Sequence, residues 1–188
     1  MKIVLLSGSP RPNGNTMQVL EACAEAIREQ GVEAELLSLA GKEIRSCIAC
    51  RKCRETKDCI LQDDALELFR KIEQADGFIV GAPVYYGTAR GDVMNFVQRL
   101  SAHSAHHGRF LDGMVGGPIV IGRRGGHTAS IQELLMFCFI SGMIVPGSTY
   151  WNMVFGREAG EAMEDTEGLE HSVRFATRCA ELVKKLRG

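Results

Sequence analysis

The chain has 188 residues, of which 45% are hydrophobic and 24% charged, and its formal net charge is −1. These values predict one ordinary globular domain covering residues 1–188. The dispersed charges exclude the basic footprint of a nucleic-acid-binding protein, and no apolar run is long enough to span a membrane. The apolar run at residues 3–6 is too short for the core of a signal peptide, so we expect a cytoplasmic protein with a small-molecule ligand.

Short apolar runs and stretches of helical periodicity alternate along the chain. The predicted strands cover residues 2–6, 33–39, 77–80, 118–121 and 144–145. The predicted helices cover residues 16–30, 63 or 64 to 75, 91–100, 128–141 and 169–186. This alternation predicts an α/β fold with a doubly wound, five-stranded parallel sheet and helices on both faces. In such a sheet, ligands bind beyond the carboxyl ends of the strands.

The first predicted strand leads into a polar, glycine-rich loop, S-G-S-P-R-P-N-G-N-T, at residues 7–16. A helix follows, so free backbone N–H groups and the helix dipole favour an anion here. Ser9, Asn15 and Thr16 add side-chain donors, and Arg11 adds a positive charge. The loop is not a Walker A motif, because five residues separate its glycines and no lysine follows, and the fingerprint G-x-G-x-x-G is also absent.

Four of the seven cysteines follow the second predicted strand as C-x2-C-x2-C-x5-C, formed by Cys47, Cys50, Cys53 and Cys59. In a reducing compartment such a group binds metal or is redox-active. Structural zinc usually uses two well-separated C-x2-C pairs. Three cysteines at successive x2 spacings can instead bind three irons of a cubane iron-sulfur cluster. The spacing favours a [4Fe-4S] cluster, with free or oxidised thiols as the alternative. The remaining cysteines fall in helical patterns and are expected in the core: Cys23, Cys138 and Cys179.

Two further loops follow predicted strands. The segment G-A-P-V-Y-Y-G at residues 81–87 contains Tyr85 and Tyr86, whose flat rings suit stacking on a planar heterocycle. The segment G-R-R-G-G-H at residues 122–127 is rich in glycine and arginine. Because both loops follow parallel strands, we expect them beside the loop at residues 7–16.

These segments resemble those of the flavodoxin-like, NADPH-dependent FMN reductases, whose members often open with G-S-P-R-x-x-G-N-T after a strand. With the cysteine run and the acidic pair at residues 63–64, the whole chain resembles the iron-sulfur flavoproteins. The resemblance implies strand order 2-1-3-4-5 and a cluster on Cys47, Cys50, Cys53 and Cys59, in a cysteine-rich insert at about residues 46–60. It implies FMN contacts with Ser9, Arg11, Asn13, Asn15, Thr16, Met17, Pro83, Val84, Tyr85, Tyr86, Gly87, Arg123, Gly125 and Gly126.

Several side chains keep more than one interpretation. Arg123 or Arg124 would offset charge on reduced flavin, bind the phosphate of NADPH or remain in solvent. His103, His106 and His107 have the i, i+3, i+4 spacing that would place three metal ligands on one face of a helix. No cysteine or carboxylate accompanies them. We therefore expect them in a solvated or subunit-contact loop at residues 102–117, and the role of His127 stays open.

The resemblance implies an FMN-dependent oxidoreductase that passes electrons between a reduced donor, FMN and a [4Fe-4S] cluster. Its donor would be NAD(P)H or ferredoxin, and its assembly a homodimer or homotetramer. No catalytic side chain is assigned, because the cofactors carry the chemistry. The alternatives are an NAD(P)H-dependent FMN or quinone reductase without a cluster, and a flavodoxin-like electron carrier or regulatory module with no substrate of its own.

Overall fold

A computed structural model describes residues 1–188. Its strands are β1 (Lys2–Ser7), β2 (Glu33–Ser38), β3 (Gly77–Tyr85), β4 (Thr88–Ala89), β5 (Val115–Gly122) and β6 (Met153–Phe155). Its helices are α1 (Asn15–Glu29), α2 (Cys53–Thr56), α3 (Ala65–Glu73), α4 (Gly91–His106), α5 (His127–Ile140) and α6 (Thr166–Arg187), with a 3₁₀ turn at Glu161–Met163. No helix is both long and apolar enough to cross a membrane.

Five parallel strands form the sheet in the order β2-β1-β3-β5-β6. Counted among these five, the order is the expected 2-1-3-4-5, and the predicted doubly wound α/β fold is confirmed. The two-residue strand β4 lies outside this series and pairs antiparallel with the end of β3. The winding direction reverses between β1 and β3, so a ligand crevice is expected at their carboxyl ends.

Two buried hydrophobic clusters lie on opposite faces of the sheet. Along β1, Val4 and Leu6 belong to one cluster, and Ile3 and Leu5 belong to the other. The first cluster packs the sheet against α3, α4 and α5, and the second packs it against α1 and α6. Burial on both faces explains why β1 is a continuous aliphatic run rather than an alternating one.

The predicted fifth strand at residues 144–145 was wrong. Ile144 makes only an isolated parallel bridge to Val115, at the amino end of β5. The edge strand is instead β6, whose three residues pair with the carboxyl end of β5. Pro146 ends the apolar run, and because proline has no N–H group it cannot extend the ladder.

The predicted loop at residues 102–117 was also wrong in extent. Helix α4 continues to His106 and β5 begins at Val115, so only residues 107–114 connect them. His103 is 4% exposed and stacks on Phe69, with 5.4 Å between ring centroids. The expectation of solvated histidines therefore fails for His103, because this turn of α4 packs against α3.

Candidate functional site

Helix α1 begins at the loop that follows β1. The backbone N–H groups of Asn15 and Thr16 have no hydrogen-bond partner in the protein, and Gly14 provides no side-chain cap. The Gly8 N–H donates to the Gly81 carbonyl at 2.8 Å, which holds this loop against β3. Unpaired N–H groups at the start of a 15-residue helix attract an anion.

The hydroxyl groups of the same loop are sheltered. Ser9 is 5% exposed and Thr16 is 2% exposed. The Ser9 Oγ accepts a hydrogen bond from the Arg11 N–H at 3.1 Å, and its own O–H donates to no protein acceptor. Both hydroxyls are therefore donors held in position for a ligand at the start of α1.

The Asn15 side chain joins α1 to the loop that follows β6. Its Nδ2 donates to the Glu158 carbonyl at 2.9 Å, and its Oδ1 accepts from the Gly160 N–H at 2.8 Å. These contacts fix the orientation of the amide, and they leave the backbone N–H of Asn15 and one N–H of its side chain for an anion. The same contacts bring Arg157 to the edge of the anion-binding loop.

The segment after β3 forms a tight hairpin. Tyr85 pairs with Thr88, and the two turn residues between them, Tyr86 and Gly87, have φ angles of +51° and +89°. Two positive φ angles are typical of a two-residue hairpin turn, although they are unusual for tyrosine. The Glu133 carboxylate of α5 accepts a hydrogen bond from the Thr88 hydroxyl. This contact fixes the hairpin against α5, with Tyr86 fully exposed at its tip.

A cavity of about 310 Å³ lies between these loops and the carboxyl ends of the strands. Eight of the predicted FMN contacts line it: Ser9, Arg11, Asn15, Thr16, Pro83, Val84, Tyr85 and Arg123. The other predicted contacts lie outside its lining: Asn13, Met17, Tyr86, Gly87, Gly125 and Gly126. Five lining residues were not among those predictions: Gly14, Ile121, Gly122, Gly156 and Arg157.

The charges around this cavity have one sign. Arg11, Arg123 and Arg157 line it, and no carboxylate side chain does. Arg123 and Arg157 also line an adjoining cavity of about 490 Å³, whose other charged residues are Arg124, Glu161, Glu164 and Asp165. The sequence pattern did not indicate Arg157, because it lies far along the chain in a loop without a recognisable motif.

The four clustered cysteines line a separate cavity of about 40 Å³. Cys53 begins α2, while three other residues of this segment, Ala49, Arg51 and Lys57, have left-handed φ angles between +53° and +61°. Non-glycine residues in this conformation indicate a loop held in a strained shape, as at many functional sites. No three Cys, His, Asp or Glu side chains form a group that would hold a single metal ion.

Helix α4 connects the two cavities. At its start, Arg90 Nη1 donates to the Gly8 carbonyl at 3.3 Å. Further along, Arg99 Nη2 donates to Cys59 Sγ at 3.5 Å. Arg99 lies nine positions after Arg90, which corresponds to roughly 14 Å along a helix axis. One rigid element therefore sets the spacing between the anion-binding loop and the cysteine segment.

Two of the three clustered histidines hold the cysteine segment to the protein. His107 Nδ1 contacts the Lys57 carbonyl at 2.5 Å, and its Nε2 lies 3.0 Å from a carboxylate oxygen of Glu73. His103 stacks on His107 and lines the cysteine cavity. These residues bridge α3, α4 and the segment that carries the cysteines.

His127 lies at the start of α5, beneath the arginine-rich loop. It is 3% exposed, its Nε2 lies 3.2 Å from the Val154 carbonyl, and its ring packs 4.3 Å from that of Phe155. Burial lowers the pKa of His127, although the Val154 carbonyl partly opposes the shift. The neutral imidazole is therefore the form that the folded protein favours.

We expect the free energy of unfolding to fall as the pH drops below about 6.5, the ordinary pKa of histidine. Because its pKa is lowered in the folded protein, His127 binds a proton more readily in the unfolded chain, and acid therefore favours unfolding. One such group contributes at most about 1.4 kcal/mol per pH unit. His127→Gln should flatten the slope in urea titrations between pH 7.5 and 5.5. His106→Gln is the control, and equal slopes for the two variants would contradict the prediction.

A doubly wound parallel sheet, with unpaired N–H groups after its first strand and aromatic side chains after its third, is typical of flavodoxin-like flavoproteins. The family model described as NADPH-dependent FMN reductase matches residues 1–158. The chain therefore belongs to the NADPH-dependent FMN reductase family, and it is an FMN-dependent oxidoreductase. The predicted family and enzyme class are both confirmed.

Two relatives support this family, and a solved structure shares the fold. An iron-sulfur flavoprotein of Methanocaldococcus jannaschii is 36% identical, with both chains covered completely. An iron-sulfur flavoprotein of Methanosarcina thermophila is 33% identical over 98% of this chain and 96% of its own. The WrbA-like flavodoxin of Agrobacterium tumefaciens has the same fold, with a TM-score of 0.70, 16% identity and 98% of each chain covered.

Proposed function

We propose that the cavity of about 310 Å³ seats FMN, with its phosphate at the start of α1 and its ring beside the hairpin. The observation that carries the proposal is the lining of three arginines without a carboxylate, next to unpaired N–H groups. Ser9 and Thr16 would donate to the phosphate, and Tyr85 and Arg123 would flank the ring. The predicted contacts outside the lining would support these loops from behind or touch the ring edge.

We further propose that electrons pass between a reduced donor, FMN and a [4Fe-4S] cluster held by Cys47, Cys50, Cys53 and Cys59. The donor set fits such a cluster, because four thiol side chains line one cavity. When bound, the cluster would supply one-electron transfer beside the two-electron chemistry of the flavin. The cysteines then belong to an insert at about residues 46–60 in a single domain covering residues 1–188.

Two features support the proposed donors. The adjoining cavity of about 490 Å³ shares Arg123 and Arg157 with the first cavity and is also lined by Arg124, and these arginines would contact the phosphates of NAD(P)H. The rest of its charged lining is acidic: Glu161, Glu164 and Asp165. The exposed side chains of Arg51 and Arg54 beside the cysteines offer a basic surface for an acidic carrier such as ferredoxin.

We also propose a homodimer or homotetramer. Met136, Phe139 and Ile140 on α5 are 63%, 63% and 78% exposed, and Trp151 is 55% exposed. Large apolar side chains that share one exposed helix face are typical of an interaction surface. A second copy of the chain on this face would lie close to the hairpin that α5 supports.

Purification without oxygen, followed by flavin, iron and acid-labile sulfide analysis, tests the proposed function. We expect one FMN per chain, with about four iron and four sulfide. Stoichiometric flavin without iron would instead identify an NAD(P)H-dependent FMN or quinone reductase without a cluster. The electron donor is identified by adding NADPH, NADH or reduced ferredoxin separately and recording which of them bleaches the flavin absorbance. Bleaching by none of them would indicate an electron carrier or regulatory module.

A further inference from the structure

A buried arginine supports the cysteine cavity from α4. Arg99 is 2% exposed, although arginine is rarely buried without a partner. Its Nη2 donates to Cys59 Sγ at 3.5 Å, and its Nη1 donates to the Arg45 carbonyl at 2.9 Å. Arg99 therefore contacts both the chain entering the cysteine segment and the last of its four cysteines.

The charge of Arg99 is matched by one carboxylate. Both oxygens of Asp63 accept from the guanidinium, at 2.5 and 3.0 Å, and the Asp63 side chain is fully buried. Asp63 also accepts from the Arg45 N–H at 3.0 Å. Residues 45 and 63 lie on either side of the cysteine segment in the chain. Because Arg99 contacts both, the Arg99–Asp63 ion pair holds the two ends of this segment together.

Burial by itself would raise the pKa of Asp63, but the hydrogen bonds from Arg99 and from the Arg45 N–H keep it below its ordinary value. The pair is thus ionised in the folded protein. A bidentate guanidinium–carboxylate pair has a fixed geometry, so the second N–H group of Arg99 Nη2 is held towards Cys59.

From these contacts we propose that Arg99 is a positioning residue for the cluster: it holds Cys59 and raises the reduction potential by donating to its sulfur. This inference rests on the proposed function, because it requires a cluster on the four cysteines. One-electron reduction adds negative charge to a group that already has four thiolate ligands. A cationic donor at a ligand sulfur stabilises that added charge, and hydrogen bonds to sulfur are among the factors that set such potentials.

The ion pair gives the proposal a test in which two substitutions have opposite signs. Arg99→Gln removes the positive charge beside Cys59, so the cluster potential should fall. Asp63→Asn leaves the Arg99 charge unmatched, so the potential should rise. A purely structural role would not predict opposite shifts. Arg28→Gln is the control, because Arg28 is a surface residue of α1 that contacts Glu25 and Ala34.

The measurement is potentiometric titration of the reconstituted protein, followed by electron paramagnetic resonance, with iron and FMN content recorded for each variant. We expect Arg99→Gln to lower the reduced-to-oxidised ratio about tenfold at a fixed potential, equivalent to about 59 mV for one electron. FMN content should not change. If Arg99→Gln does not retain iron, Arg99→Lys replaces it. Lysine keeps the positive charge but lacks the forked donors that bind Asp63 and Cys59 together, so the downward shift should be smaller than tenfold.

Several outcomes would overturn the proposal. A potential unchanged in Arg99→Gln, or shifts of the same sign in Arg99→Gln and Asp63→Asn, would show that Arg99 does not tune the cluster. Loss of iron from both arginine variants would leave Arg99 only a structural support. These results require a wild-type protein that binds iron. A wild-type protein that takes up no iron on reconstitution would instead overturn the proposed function, and this inference with it.

Discussion

Replacing Cys53 with serine is expected to remove the iron and acid-labile sulfide, with an iron content lowered about tenfold or more. Burial raises the pKa of Cys53, and the neighbouring thiolates of Cys50, Cys59 and Cys47 raise it further. The thiolates of these four neighbouring cysteines would therefore repel one another. Bound iron would offset this negative charge and favour the deprotonated thiols. Cys53 should therefore be indispensable to the group.

FMN content should stay at the wild-type level in Cys53→Ser, because the two cavities share no lining residue. Iron, sulfide and flavin analyses on the same anaerobic preparation measure both effects. Arg54→Ser is the matched control, since Arg54 is an exposed residue of the same short helix. Joint loss of flavin and iron from Cys53→Ser would contradict the prediction, as would full iron content.

The sequence was sufficient for features that depend on neighbouring residues. The aliphatic run of β1, the polar loop and the first turn of α1 are adjacent in the chain, so their pattern predicts both the fold class and the anion site. The cysteine spacing is local in the same sense. The four cysteines do line one cavity.

Features that depend on distant contacts were not predictable. Strand β6 has only three residues, too few to show a period, and its place depends on pairing with β5. Arg157 reaches the cavity of about 310 Å³ because Asn15 binds the loop in which it lies. Arg99 has the sequence pattern of a solvent-facing helix residue, and only the fold brings Asp63 to it. A local sequence pattern cannot contain these pairings.

Gly126→Ala is expected to weaken FMN binding at least about tenfold. Gly126 has a φ angle of +88°, and a Cβ atom there would lie 2.6 Å from Gly87 Cα in the hairpin. The left-handed conformation alone costs an L-residue about 1–2 kcal/mol. The backbone of the hairpin cannot yield without moving Tyr85 away from the cavity. This conformational strain is present with and without FMN, so it lowers the stability of the fold rather than the affinity. The displacement of Tyr85 is what would weaken binding, and a loss of about 1.4 kcal/mol there corresponds to a factor of ten in Kd.

Gly125→Ala provides a closely matched control for this prediction. A Cβ atom at Gly125 meets nothing within 4 Å, and its φ angle lies outside the left-handed region. Its effect should stay within about 0.5 kcal/mol. Quenching of flavin fluorescence on titration of the apoprotein gives both dissociation constants. If the two alanine variants bound FMN equally tightly, the close backbone contact between these loops would not position the ring, and the hairpin would have to be removed from the proposed flavin site.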